Sequence, residues 1–129
     1  MAFYERKEVK DMLGFLRLLY NPTDMISLER VINVPPRGIG EKTRLWFVDY
    51  CRERGIDFVH AARAIMAGHI PSDTRHTRLQ PFCSLLDKAA SQLSKGARVA
   101  ELIDIFFKEA HYRSYLTANY ENAEERMEN

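Results

Sequence analysis

The stretch Asn33-Val34-Pro35-Pro36-Arg37-Gly38-Ile39-Gly40-Glu41-Lys42-Thr43 decides how this chain is read. Its glycines, lysine and threonine are the parts of a phosphate-binding loop, for a nucleotide or for a nucleic acid. The nucleotide reading fails on spacing. A P-loop needs G-x-x-x-x-G-K-[ST], with lysine directly after the second glycine, so that loop amides wrap the phosphates and the ammonium reaches their far end. Here Glu41 separates Gly40 from Lys42, and its carboxylate would face the phosphates. A P-loop also follows a buried strand, and Pro35 and Pro36 cannot donate to a sheet ladder.

Outward from this stretch the pattern is helical. Upstream, Asp24 is placed to cap a short helix carrying Ile26, Leu28, Val31 and Ile32. Pro35 keeps Val34 out of the helical region, so that helix ends there. Downstream, a helix is expected from Glu41 to about Arg54, with Gly55 as its stop. A helix, a tight glycine–apolar–glycine turn and a second helix make a helix-hairpin-helix over about residues 25–54. Gly38 and Gly40 would let the backbone approach a phosphate with no Cβ in the way. A branched side chain at Gly40 is expected to block that approach and strain the turn. Ile39 is expected to point inward and lock the turn to the core. The N-terminus of the following helix offers unpaired N–H groups and the positive end of its dipole to an anion. Arg37, Lys42 and Arg44 cluster there, and the Thr43 hydroxyl adds a donor. Such a site reads the nucleic-acid backbone and not the bases. The alternative is a plain αα-turn whose basic side chains only face solvent.

The remaining segments are helical too. In the first, Val9, Met12, Leu13, Leu16, Leu19 and Tyr20 follow the i, i+3, i+4 rule, which puts them on one stripe of a helix expected to be buried on two sides. Phe15 and Leu18 add a second apolar face, and Asn21-Pro22 ends the helix. Asp57 caps a helix with Phe58, Ala61, Ala62, Ile65 and Met66, closed by Gly68. Residues 69–76 read as a polar loop. Leu79, Phe82, Leu86, Ala89, Ala90 and Leu93 mark a further helix ended by Gly96, with Pro81 in its first turn or kinking it. Val99, Leu102, Ile103, Phe106 and Phe107 mark the next. Residues 112–129 are expected to add one last helix or two short ones, with a frayed acidic end. No strand pattern or repeat is present. The expected class is all-α: one domain, residues 1–129, of about six or seven helices.

Composition narrows the function classes. The chain has 129 residues, 46% hydrophobic and 29% charged, as ordinary globular domains have. A net charge of +1 gives no global attraction to nucleic acid, so any basic site must be local. Between residues 34 and 54, Arg37, Lys42, Arg44, Arg52 and Arg54 outnumber Glu41, Asp49 and Glu53. Cys51 and Cys83 lie in apolar helical stretches outside any C-x-x-C, which reads as buried free thiols. No apolar run reaches the roughly 18 residues of a membrane span. No signal peptide pattern opens the sequence, and the cytoplasm is the default expectation.

Three stretches carry a family resemblance. Phe3-Tyr4-Glu5-Arg6-Lys7-Glu8-Val9-Lys10-Asp11, Leu16-Arg17-Leu18-Leu19-Tyr20-Asn21-Pro22-Thr23-Asp24 and Ser27-Leu28-Glu29-Arg30-Val31-Ile32-Asn33-Val34-Pro35-Pro36-Arg37-Gly38-Ile39-Gly40 resemble the UvrD/PcrA/Rep family of superfamily 1 DNA helicases. They look like the point where those chains leave the second motor domain and enter the helical 2B subdomain. Glu121-Asn122-Ala123-Glu124-Glu125-Arg126-Met127-Glu128-Asn129 resembles a later segment of that subdomain. The likeness is close over residues 3–43 and 121–129 and loose over 56–118. It implies a parent that is an ATP-driven 3′-to-5′ DNA helicase, with ATP and Mg held between two RecA-like motor domains. This sequence shows no Walker A, no Asp-Glu pair after a strand and no parallel-sheet pattern. The expectation is therefore an excised accessory piece, without enzyme activity or cofactor of its own. Its partners would be duplex DNA and the motor domains of the same polypeptide. By position, the resemblance makes Arg37, Gly38, Ile39, Gly40, Lys42 and Thr43 the duplex-contacting hairpin, beside Arg44 from the local charge cluster. Pro36 departs from many members and would stiffen the turn. DNA repair, replication restart and plasmid maintenance all remain open as the parent's setting.

Other candidate sites are weaker. His60, His69, His76 and His111 lack metal-ligand spacing, so no metal is expected, and His60 should sit at the surface. Glu5, Glu8 and Asp11 alternate with Arg6, Lys7 and Lys10, which reads as a solvated, ion-paired first turn and not as an acid/base cluster. Trp46, Phe47 and Tyr50 could stack on bases but fit a core better. Two further classes stay in view: an autonomous helix-hairpin-helix DNA-binding protein, and an all-α protein-interaction module in which the hairpin only packs.

Overall fold

The computed structural model describes residues 6–69 and 74–109. Among these the chain is helical, with no strand: α1 (Arg6–Tyr20), α2 (Met25–Val31), α3 (Glu41–Arg54), α4 (Phe58–Met66), a 3₁₀ turn (Thr74–Leu79), α5 (Gln80–Ser94) and α6 (Val99–Glu109). The expected helices beyond residue 112 and the acidic end lie outside the described residues.

Capping chemistry sets the helix boundaries. The Asp24 carboxylate accepts from the Ser27 N–H at 3.2 Å and from the Ser27 hydroxyl at 2.9 Å, opening α2. Asp57 accepts from the His60 N–H at 2.7 Å and opens α4. Gly55 closes α3, and Pro81 sits in the first turn of α5, where its missing N–H costs nothing. Part of the expected 69–76 loop, from Thr74 onward, is wound into the 3₁₀ turn.

The core lies around α5, which packs on α1, α4, α6 and the 3₁₀ turn. Phe82, Cys83, Leu85, Leu86 and Ala89 of α5 are all but sealed from water. Phe15 of α1 stacks on Phe106 of α6 at 4.7 Å, and Phe47 of α3 meets Phe58 of α4 at 5.8 Å. Each such fully buried side chain contributes about 1.5–3 kcal/mol of transfer free energy. Gly14 lets α2 close on α1: a Cβ there would stand 3.0 Å from Arg30 Cδ and 3.3 Å from Val31 Cγ1.

The register of α1 keeps one of the two faces expected from the sequence, that of Phe15 and Leu18, and corrects the other. Its buried face is Glu8, Asp11, Gly14, Phe15, Leu18 and Leu19, whereas Val9, Leu13 and Tyr20 are exposed. The competing stripe was hidden because it carries two acids. Asp11 is buried between Lys7 and Arg30, each at 3.2 Å, so its charge is neutralised where α1 meets α2. The expected solvated first turn is likewise corrected: Glu8 is buried as well, and its Oε2 has no hydrogen-bond partner among the described residues.

Candidate nucleic-acid interface

The connection from α2 to α3 is held by a side chain the sequence reading passed over. Asn33 donates from Nδ2 to the Ile39 carbonyl at 2.7 Å. Its Oδ1 accepts from the Ile39 N–H at 3.0 Å and from the Arg37 N–H at 3.3 Å. One amide thus ties both ends of residues 33–39 together. This is the loop-closing use of asparagine, and its position just before Val34-Pro35 was the available signal. Ile39 is buried, as its apolar character requires between two glycines. The Val34-Pro35 peptide bond is cis.

The basic residues divide into two groups. Arg37 is turned inward. Its Nη1 donates to the carbonyls of Val31 at 3.0 Å and Ile32 at 2.8 Å, capping the C-terminal end of α2. Its guanidinium carbon lies 5.3 Å from the Phe82 ring centre. Burial draws the guanidinium down to about 10, which leaves it cationic at neutral pH. Arg44 is engaged too: its guanidinium meets Glu29 at 2.9 Å and Glu41 at 3.9 Å, pinning α3 to α2. Lys42 is exposed and has no acidic partner among the described residues. The amides of Gly40, Glu41, Lys42 and Thr43 likewise have no acceptor among the described residues; the first helical bond of α3 runs from the Arg44 N–H to the Gly40 carbonyl at 3.0 Å. Gly40 caps α3 without a side chain of its own.

The two glycines differ. Gly38 has φ +70°, the left-handed region, and its carbonyl receives the Arg78 guanidinium at 3.4 Å. Gly40 has φ −84° and ψ −178°, ordinary extended backbone, and a Cβ there meets nothing within 4 Å. A branched residue at Gly40 therefore brings no backbone strain, contrary to the sequence expectation. Chain geometry makes Gly38 necessary. The space in front of Gly40 is simply open.

The aromatic residues of α3 are packed. Phe47 and Tyr50 are buried. Trp46 is half-buried, with the His76 ring stacked on it at 4.1 Å and the Tyr50 ring tilted against it at 5.4 Å. Cys51 and Cys83 are buried free thiols, each pushed up to about 12 by burial, hence protonated and inert at neutral pH. His60 is exposed against Asp57 at 2.9 Å. Among the described residues no group of His, Cys, Asp and Glu is arranged to hold a metal ion, and no helix is long and apolar enough to cross a membrane.

The model of the UvrD-like helicase C-terminal domain matches residues 1–68, which contain α2, α3 and the turn between them. The chain is 33% identical over 121 residues to the ATP-dependent DNA helicase UvrD1 of Mycobacterium tuberculosis H37Rv, covering 92% of this chain and 15% of that protein. It is 30% identical over 128 residues to the ATP-dependent DNA helicase PcrA of Bacillus subtilis, covering 98% and 17%. It is 36% identical over 92 residues to DNA helicase II of Escherichia coli K12, covering 71% and 13%. The chain thus spans only a small part of the length of the relatives it matches.

Proposed function

The chain belongs to the UvrD-like helicase C-terminal domain family, and from that premise we propose that it is the duplex-DNA-contacting 2B subdomain of an ATP-dependent 3′-to-5′ DNA helicase. The observation that carries the reading is the α2–α3 hairpin. It presents a helix N-terminus with no side-chain cap, open space in front of Gly40 and the charge of Lys42, unpaired among the described residues, on a turn fixed from behind by Asn33, Ile39 and Arg37. Oriented N–H groups and a cation suit a phosphodiester oxygen, and they cannot distinguish bases. In this reading Gly38, Gly40, Lys42 and Thr43 face the DNA. Arg37 and Arg44 act behind them by holding the turn and α3 in position. Ile39 anchors the turn in the core.

The ATP site and its Mg ion would belong to motor domains elsewhere in the parent polypeptide, which also serve as this domain's docking partners. The domain itself would hydrolyse nothing. It would hold the duplex beside the motor and so tune unwinding in the cytoplasm, in repair or a related pathway. A weak contact suffices there, because a motor already bound to the adjoining strand raises the effective concentration of duplex. Fluorescence anisotropy of the chain with labelled duplexes of unrelated sequence tests the proposal. Equal, salt-sensitive binding to each supports it. A strong preference for one sequence, or no binding at low salt, overturns it.

A further inference from the structure

We infer that Arg78, delivered by the 3₁₀ turn between α4 and α5, is the second cation of the backbone-binding site; this rests on the hairpin reading above. Arg78 lies 40 positions from Gly38 in sequence, yet its Nη1 stands 3.4 Å from the Gly38 carbonyl. That contact is long for a hydrogen bond, and it uses one of the five donors of the guanidinium. The rest of the fork is exposed and makes no other bond or ion pair among the described residues.

Other arginines of the described chain are already engaged. Arg30 is spent on Asp11, Arg44 on Glu29 and Glu41, Arg52 on Asp49, Arg54 on Glu53, and Arg63 on Asp87. Arg37 is spent on the carbonyls of α2. Around the hairpin, Lys42 and Arg78 are the exposed cations left with no carboxylate among the described residues, Arg37 being turned inward. They come from different parts of the chain. Gly38 also fits this role, since any Cβ there would run into the Arg78 guanidinium. The glycine serves as the seat of the arginine as well as the corner of the turn. Two residues of chain span at most about 7 Å, so the Arg78 guanidinium, 3.4 Å from the Gly38 carbonyl, stands within about 10 Å of the Gly40 amide, the first of the free amides that open α3. An exposed guanidinium fork at that distance can grip a neighbouring phosphate in bidentate fashion. The site is then a two-segment clamp, with the α3 N-terminus and Lys42 on one side and Arg78 on the other.

The test is the salt dependence of duplex binding by the 129-residue chain, measured by anisotropy from low to moderate salt, with circular dichroism melts as a check on folding. With two phosphates neutralised the log–log slope should be about −1.8, at about −0.9 per phosphate. Arg78→Gln removes the charge and shortens the side chain so that it no longer reaches the Gly38 carbonyl. It should bind several-fold more weakly and bring the slope to about −0.9. Arg78→Lys should retain the parent's slope. If Arg78→Gln keeps that slope while folded Gly40→Val loses binding, Arg78 is only a strut and the hairpin reading survives. If neither variant alters binding, or the parent shows no salt-dependent binding, the hairpin reading fails and this inference with it.

Discussion

Replacing Asn33 by alanine should loosen the hairpin without touching any exposed residue of the candidate site. The side chain makes hydrogen bonds of 2.7 Å and 3.0 Å to the backbone of Ile39 and a longer one of 3.3 Å to the Arg37 N–H. A net bond contributes about 0.5–1.5 kcal/mol, and the two short ones sit beside the buried Ile39, where lost partners are poorly replaced by water. Asn33 itself is only half-buried, which lowers the cost, and the 3.3 Å bond adds little. The expected destabilisation is about 2 kcal/mol. In urea, with a slope of about 2 kcal/mol per molar for a small domain, the unfolding midpoint should fall by about 1 M. Asn33→Asp keeps the acceptor for the Ile39 and Arg37 N–H groups, loses the donor, and sets a carboxylate against the Ile39 carbonyl, so it should not recover the loss. If the alanine variant unfolds within about 0.3 M of the parent, Asn33 does not hold the turn and Pro35 and Pro36 with Arg37 must do so alone.

The register of α1 can be checked by Leu18→Ala, expected to cost about 2–5 kcal/mol by cavity formation, against Leu13→Gln, expected within about 0.5 kcal/mol. Equal losses in the two melts would refute the assigned face. Asp24 is held below its usual carboxylate range, chiefly by the Ser27 hydroxyl. Its contribution is therefore present above the unfolded carboxylate pKa of about 3.9 and lost as pH falls through the lower folded value. Asp24→Ala should accordingly cost more stability at pH 6 than at pH 2, and a penalty equal at both pH values would contradict this. The purified chain should show no DNA-stimulated ATP hydrolysis; turnover that co-purifies through successive columns would place an ATP site in this domain.

The helices of the described chain were legible in the sequence because their signals are local. Asp24 and Asp57 at helix starts, Gly55 at a helix end and Pro81 in a first turn each act through bonds a few residues away. What failed depends on partners distant in sequence. The buried face of α1 could not be told from its apolar rival because Asp11 is neutralised partly by Arg30, on the next helix. The basic cluster near the hairpin was visible, but not which way each side chain turns. Arg37 goes inward to carbonyls that only the end of α2 exposes, and Arg44 is drawn to Glu29. Arg78 carried no sequence signal at all, because the fold alone brings it to Gly38. Asn33 was the one miss with a local cue, as an asparagine preceding a proline turn.

The central claim is that the open backbone in front of Gly40 receives a DNA phosphate. Gly40→Val tests it most directly. The position is extended and unobstructed, so the variant should fold as the parent does, while its side chain fills the approach to the α3 amides. The measurement is anisotropy with a labelled duplex at low salt, after circular dichroism confirms equal helicity and melting. The account predicts that folded Gly40→Val loses most of its duplex binding, more than Lys42→Ala does. A folded Gly40→Val that binds duplex as tightly as the parent would show that the hairpin only packs.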